Sequence, residues 1–178
     1  NKAIEYIKKA IQKKVSLVVF PELFLLGYPL GDILARYPIL GLQCQKALEE
    51  IKQYSDKIDI LIGYAEINRE NHKKPYYNSI AYLKQGEIKK IIRKTLMANY
   101  QEHNDYRYFE PYCDAQDRII EIKGKKFGVV ICEDSWNDSQ FFEKNLYKID
   151  PIESLKGKVD ALICPSSSCS RVKKEQLK

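Results

Sequence analysis

No window of the 178-residue sequence approaches the roughly 18 consecutive apolar residues that a membrane-spanning helix needs, and the N-terminal stretch NKAIEYIKKAIQKK is too charged to hold the apolar region of a secretory signal. No membrane partner is expected, and the chain reads as a soluble, cytoplasmic protein. Cysteine is sparse and unpatterned. Cys44, Cys113, Cys132, Cys164 and Cys169 are odd in number and include no C-x-x-C pair, so neither a disulfide framework nor a zinc site is suggested. Reduced thiols and no bound metal are the expectation. The phosphate-cradling patterns G-x-G-x-x-G and G-x-x-x-x-G-K-[ST] are also missing, which argues against a nucleotide cofactor on these residues. There is no internal repeat and no low-complexity linker. Long basic tracts are absent too: Lys and Arg exceed Asp and Glu by 30 to 24, a net charge of +6, in runs no longer than two. Such interspersion reads as a solvated surface, and no nucleic-acid partner is expected.

What is present is the material for a core, with 44% apolar and 11% aromatic residues in about one domain's length. Ile4, Ile7 and Ile11, beside Ala3 and Ala10, recur at helical spacing and predict an amphipathic helix over residues 2–14. The β-branched run at 15–20 (VSLVVF) then reads as a strand buried on both faces and ends at Pro21. Leu40, Ala47, Leu48 and Ile51 predict a second helix over 39–55, followed by a buried strand at 58–67. Two strand pairs follow, folded across Gln85-Gly86 and across Lys123-Gly124-Lys125, with Gly where a hairpin turn wants it. The polar, aromatic stretch 95–117 between them is long for a connection and is a candidate functional loop. A helix-like segment at 139–157, the strand VDALIC, a serine-rich turn and a basic helix-like tail complete one α/β domain with mixed strand directions. Asn1 stands inside the first helix pattern, as the interior residue of a longer protein would.

Three predicted strands run out onto a reactive residue type: Glu22, Lys94 and Cys132. A charged residue commonly ends a strand merely to meet solvent, and a free cysteine is commonly a small core hydrophobe. Cys132 also precedes Glu133 and Asp134, and nearby anions raise a thiol's pKa, so an active thiol here needs a cation or a positioned base. Lys94 could be the first and Glu22 the second.

The phrases VVFPELFLLGYPLGD around Glu22, RKTLMANYQEHNDYRYF from Arg93 and FGVVICEDSW around Cys132 resemble, in order and spacing, the three motif blocks of the nitrilase (carbon-nitrogen hydrolase) superfamily. More narrowly, GYP-x-x-D, NY with RYF, and CED-x-W resemble the glutamine amidotransferase (glutaminase) domain of glutamine-dependent NAD+ synthetases. The resemblance implies an αββα sandwich with Glu22 as general base, Lys94 stabilising the transition state and Cys132 as nucleophile. Attack on a primary carboxamide requires a thiolate, a proton acceptor and oxyanion donors. The donors implied are the Glu133 backbone N–H and the Lys94 ammonium. By the same resemblance Tyr28, Tyr100, Glu133, Ser167 and Lys173 bind glutamine, Glu133 meeting its α-ammonium and Lys173 its α-carboxylate, while Asp105 orients Lys94.

The sequence departs from the family pattern in having Ala98 before the NY pair, Asp105 where a Glu is usual, and no second proline in the block Pro165 to Cys169. The sandwich implied reads as truncated at both ends, so that residues 1–178 form a partial domain and the synthetase domain is missing sequence or a separate chain. The partners implied are L-glutamine, that synthetase domain and further copies of the chain in a homo-oligomer. Two competing readings are a stand-alone amidase acting on another amide or an N-carbamoyl compound, and an inactive fragment serving in assembly.

Overall fold

The computed structural model describes residues 2–70, 73–100, 103–112, 118–137, 141 and 144–167. Helix α1 (Lys2–Gln12) buries Ala3 and Ile7 and lays Ile4, Ala10 and Ile11 against the same cluster. It ends sooner than the apolar spacing predicts because Lys14 adopts a left-handed conformation, φ 55°. Strand β1 (Leu17–Val19) pairs parallel with β2 (Asp59–Ile67) and forms one edge of a four-stranded sheet. An edge strand has a neighbour on one side only, and Val19 is 41% exposed, so the expectation of burial on both faces fails here. The crossover between these strands carries the short helix α2 (Ile33–Arg36) and α3 (Ile39–Lys52), whose Cys44, Leu48 and Ile51 face inward.

β2 is the strand that is buried on both sides. Ile60, Ile62 and Tyr64 point to the helices α1 and α3, while Leu61 points the other way, the alternation that a pleated strand imposes. β3 (Tyr76–Lys84) and β4 (Glu87–Arg93) extend this sheet antiparallel, in the order β1-β2-β3-β4. Their turn places both Gln85 (φ 54°) and Gly86 (φ 73°) in the left-handed region, the requirement of a two-residue hairpin.

A second sheet is built from β5 (Ile119–Ile122), β6 (Lys125–Val129) and β7 (Ala161–Ile163), antiparallel then parallel. The two sheets pack face to face. Leu61, Ile80, Tyr82 and Ile92 from the first meet Ile120, Ile122 and Val129 from the second in one buried cluster. With helices on the outer face of the first sheet, the described residues supply the α, β and β layers of the expected sandwich.

Two connections differ from a plain loop or helix. Residues 95–100 and 103–112 are irregular apart from the single turn α4 (Asp105–Tyr108). The segment 139–157 is not helical where it is described: only Glu153–Leu155 makes a 3-10 turn. Two features displace the helix. Pro151 disfavours helical backbone at Asp150, and the Asn137 amide takes the carbonyls of Tyr147 (2.9 Å) and Ile149 (2.8 Å) for itself. The basic tail lies outside the described residues. Among those residues no helix is long and apolar enough to cross a membrane.

Candidate active site

Glu22 owes its place to a missing side chain. After β1 the backbone stays bonded to β2, Phe20 N–H donating to the Leu61 carbonyl at 2.8 Å. Pro21 and Glu22 then cross directly over Gly63 of β2. A Cβ on that glycine would stand 2.3 Å from the Pro21 carbonyl oxygen and 2.4 Å from the Leu23 nitrogen, so only glycine permits the crossing. Glu22 is 1% exposed. Its Oε1 accepts hydrogen bonds from Lys94 Nζ at 2.6 Å and from Asn78 Nδ2 at 2.8 Å. Its Oε2 is buried with no hydrogen-bond partner among the described residues. A buried acceptor left open is costly unless it has a use.

Lys94 follows the last residue of β4 and is fully buried. Its backbone N–H donates to the Asn78 carbonyl at 2.9 Å, so Asn78 holds the main chain of one site residue and the side chain of another. Nζ donates to Asp105 Oδ2 at 2.8 Å as well as to Glu22, which occupies two of its three N–H groups. Burial acts to lower the Lys94 pKa, but the charges of Glu22 and Asp105 outweigh it and raise it, so the side chain is an ammonium. Asp105 opens α4 and, though shorter than Glu, reaches the lysine. The Tyr28 hydroxyl donates to its Oδ1 at 2.9 Å and lies 2.7 Å from His103 Nδ1. A phenol has one proton to give, so the histidine nitrogen is the donor in that second bond.

Cys132 is set by the second sheet. Beyond β6 the Val130 N–H donates to the Ile163 carbonyl at 3.0 Å and the Cys132 N–H to the Pro165 carbonyl at 3.1 Å. Cys132 then begins a 3-10 turn, Cys132–Ser135, with φ 46°. A left-handed backbone at a non-glycine residue stores about 1–3 kcal/mol and turns the side chain out of the strand direction. Burial first, and the Glu22 charge second, push the thiol up to about 12, against the pull of Lys94 and of a hydrogen bond from the Ser167 backbone. The resting pair at neutral pH is therefore a thiol beside a carboxylate. Two results follow for alkylation of Cys132 by iodoacetamide. In the parent chain the rate keeps rising through alkaline pH, because the thiolate is the reactive form. Glu22→Gln removes an anion that opposes thiolate formation, so its rate profile moves to lower pH; an unmoved or upward-shifted profile contradicts this contact.

Glu133, 3% exposed, lies next to the thiol in sequence and between two phenols in space. Tyr100 donates to Oε2 at 2.9 Å and Tyr147 to Oε1 at 2.6 Å. Among the described residues no cation is ion-paired with it. The Ser167 hydroxyl donates to the Glu22 carbonyl oxygen at 2.8 Å, so it braces the wall of the site, while Lys173 lies outside the described residues. Tyr28 likewise spends its hydroxyl on Asp105.

A buried ion pair ties these parts together. Asp134 Oδ1 accepts from the backbone N–H groups of Thr95 (2.9 Å) and Leu96 (2.8 Å), and Oδ2 from Ile131 N–H (3.1 Å) and Arg118 Nη1 (2.8 Å). Arg118 Nη2 donates to the Arg93 carbonyl at 3.0 Å and to Thr95 Oγ1 at 2.6 Å. The lysine segment and the cysteine turn, borne by different sheets, share one clamp. Sequence reasoning missed Asn78, His103, Arg118 and Tyr147. Only Asn78 left a trace, a polar residue beside Ser79 at the start of a strand run that is otherwise mostly apolar.

A concavity of about 720 Å³ beside α3 and β4 contains none of the Glu22, Lys94, Cys132 and Glu133 side chains. Its Arg93 and Glu66 pair with each other, at 2.8 and 2.6 Å. Among the described residues no cluster of His, Cys, Asp or Glu could hold a metal ion.

Three kinds of comparison bear on this site. The family model for carbon-nitrogen hydrolase matches residues 1–164. The chain is 36% identical to glutamine-dependent NAD(+) synthetase of Acinetobacter baylyi over 137 residues, which is 77% of this chain and 24% of that protein. It is also 36% identical to the Thermotoga maritima glutamine-dependent NAD(+) synthetase, over 77% of this chain and 23% of that one. It thus spans about a quarter of the length of these curated relatives. The structure of glutamine-dependent NAD+ synthetase from Acinetobacter baumannii superposes with a TM-score of 0.80 at 32% identity, covering 97% of this chain and 30% of that one. A carbon-nitrogen hydrolase from Helicobacter pylori, 21% identical with a TM-score of 0.73 over 98% of this chain and 57% of its own, shares the fold.

Proposed function

The chain belongs to the carbon-nitrogen hydrolase family, and from that premise we propose that it hydrolyses the side-chain amide of L-glutamine to glutamate and ammonia. The ammonia serves NAD+ synthesis from deamido-NAD+ by a synthetase domain outside these residues, and residues 1–178 are then part of a glutaminase domain. Membership supports amide chemistry; the glutamine-dependent relatives support the substrate. The observation that carries the reading is the cluster of buried Glu22 and Lys94 with half-buried Cys132, and Glu133 beside it, an acidic group without a cation partner among the described residues. A substrate with an ammonium at one end and a primary amide at the other supplies what each part lacks.

The steps follow from which atoms are free. Cys132 Sγ attacks the amide carbon as its proton passes to Glu22 Oε2, the oxygen left without a hydrogen bond. The oxyanion that forms is met by the third N–H of Lys94 and by the Glu133 backbone N–H. Glu22 returns the proton to the departing nitrogen, which leaves as ammonia, and a γ-glutamyl thioester remains on sulfur. Water then attacks the thioester, Glu22 takes its proton, and collapse releases glutamate and a thiolate that recovers the proton. Lys94 stays an ammonium throughout, since two carboxylates hold it charged.

The test is substrate choice. Ammonia release is expected from L-glutamine, with simple aliphatic amides and N-carbamoyl amino acids turned over at least about tenfold less efficiently, because they lack the ammonium that Glu133 pairs with. Efficient turnover of those compounds and not of glutamine would make the chain an amidase of another specificity.

A further inference from the structure

We propose that Tyr147 is a specificity-determining residue, which sets Glu133 to read the amino group of the substrate. The inference rests on the glutaminase reading and goes beyond it, since neither the motif blocks nor the family resemblance points to the segment after Trp136. Glu133 has two carboxylate oxygens, and each accepts from one phenol, Oε2 from Tyr100 at 2.9 Å and Oε1 from Tyr147 at 2.6 Å. Burial and the adjacent carboxylate raise both phenols, Tyr100 to about 12, so both remain protonated donors at neutral pH. A carboxylate oxygen offers two lone-pair sites. One on each side is filled by tyrosine, which fixes the plane of the group and leaves the others for the N–H bonds of an ammonium. With only one phenol the carboxylate can rotate about its last bond, and the second oxygen loses its direction.

Tyr147 is held to this task. Asn137, 2% exposed, donates from Nδ2 to the carbonyls of Tyr147 (2.9 Å) and Ile149 (2.8 Å) and accepts from the Tyr147 N–H at 3.0 Å. Asn137 is four residues from Glu133, just past the turn that presents Cys132, so the latch and the group it serves share one rigid support. A tyrosine that merely covered the protein would need no such fixation of its main chain.

The experiment compares L-glutamine with glutaramate, the same chain of atoms without the amino group, in the parent protein and in Tyr147→Phe. The variant is expected to lose about tenfold in kcat/KM for glutamine, the order of one charge-assisted hydrogen bond, while glutaramate turnover stays unchanged. The loss should fall on KM, because the amino group is remote from the reacting carbon and is held equally in ground and transition states. Asn137→Ala, which frees the latch and keeps the phenol, should lower the same selectivity. Equal losses on both substrates would reduce Tyr147 to a packing role, and an unchanged glutamine-to-glutaramate ratio would remove it from recognition; either overturns the inference. A parent protein that does not prefer glutamine to glutaramate defeats the glutaminase reading itself, before any variant is made.

Discussion

Cys132→Ala is expected to abolish ammonia release, lowering kcat by at least about 10⁴-fold, while the chain remains folded. The size follows from the roles left behind. Glu22 and Lys94 together can polarise a carbonyl and deprotonate a water, but without sulfur there is no thioester, and the difficult direct attack of water on an amide must replace two easier steps. The stability cost is small by comparison. The removed atom is one sulfur at a partly buried position, where the resting group is an uncharged thiol. Ammonia release and chemical denaturation measured on the same preparations separate the two quantities. Glu22→Gln gives the informative contrast, since it keeps the nucleophile, eases thiolate formation and removes the acceptor for its proton. Alkylation at Cys132 then persists in a chain that no longer turns over amide. Ammonia release by Cys132→Ala within tenfold of the parent would remove this residue from the reaction.

The fold and the residues that cluster at the candidate site were legible in the sequence for a common reason: both are written in local patterns. The hairpin at Gln85-Gly86 is a two-residue signal, and the continuous apolar run of β2 states that both its faces are covered. Glu22, Lys94 and Cys132 each stand just beyond a strand, and the three motif blocks carry their order. What sequence could not carry are contacts between distant segments. Asn78 and Glu22 are 56 residues apart, and nothing near either names the other. Nothing near Arg118 marks it as buried, since arginine seldom is, and its carboxylate partner lies 16 residues on. The segment 139–157 misled in the opposite sense: its apolar spacing resembles a helix, but Asn137 and Pro151 redirect it, and Tyr147 is thereby turned toward Glu133. Val19 misled because edge and interior strands share a β-branched composition, and only sheet order distinguishes them.

Asp134→Ala is expected to be the most destabilising substitution in the site, costing about 3–5 kcal/mol and lowering Tm by roughly 10 °C. The pair it breaks is almost wholly inaccessible, with side chains 2% and 0% exposed, so water cannot compensate the Arg118 charge left behind. Three backbone N–H groups, on Ile131, Thr95 and Leu96, lose their acceptor at the same time. Those amides flank Cys132 on one side and Lys94 on the other, so the substitution loosens the two sheets where the proposed nucleophile and the Lys94 ammonium must stay in register. Stability and register are separable by a second variant. Arg118→Met with Asp134→Leu removes both charges, and apolar replacement of a buried pair typically recovers much of the lost stability. It cannot restore an acceptor to the three amides. The double variant should therefore regain most of its resistance to urea and yet stay far below the parent in ammonia release. Recovery of both together would mean that the clamp only holds the sheets together, and a Tm shift under about 2 °C for Asp134→Ala would mean that it does not do even that.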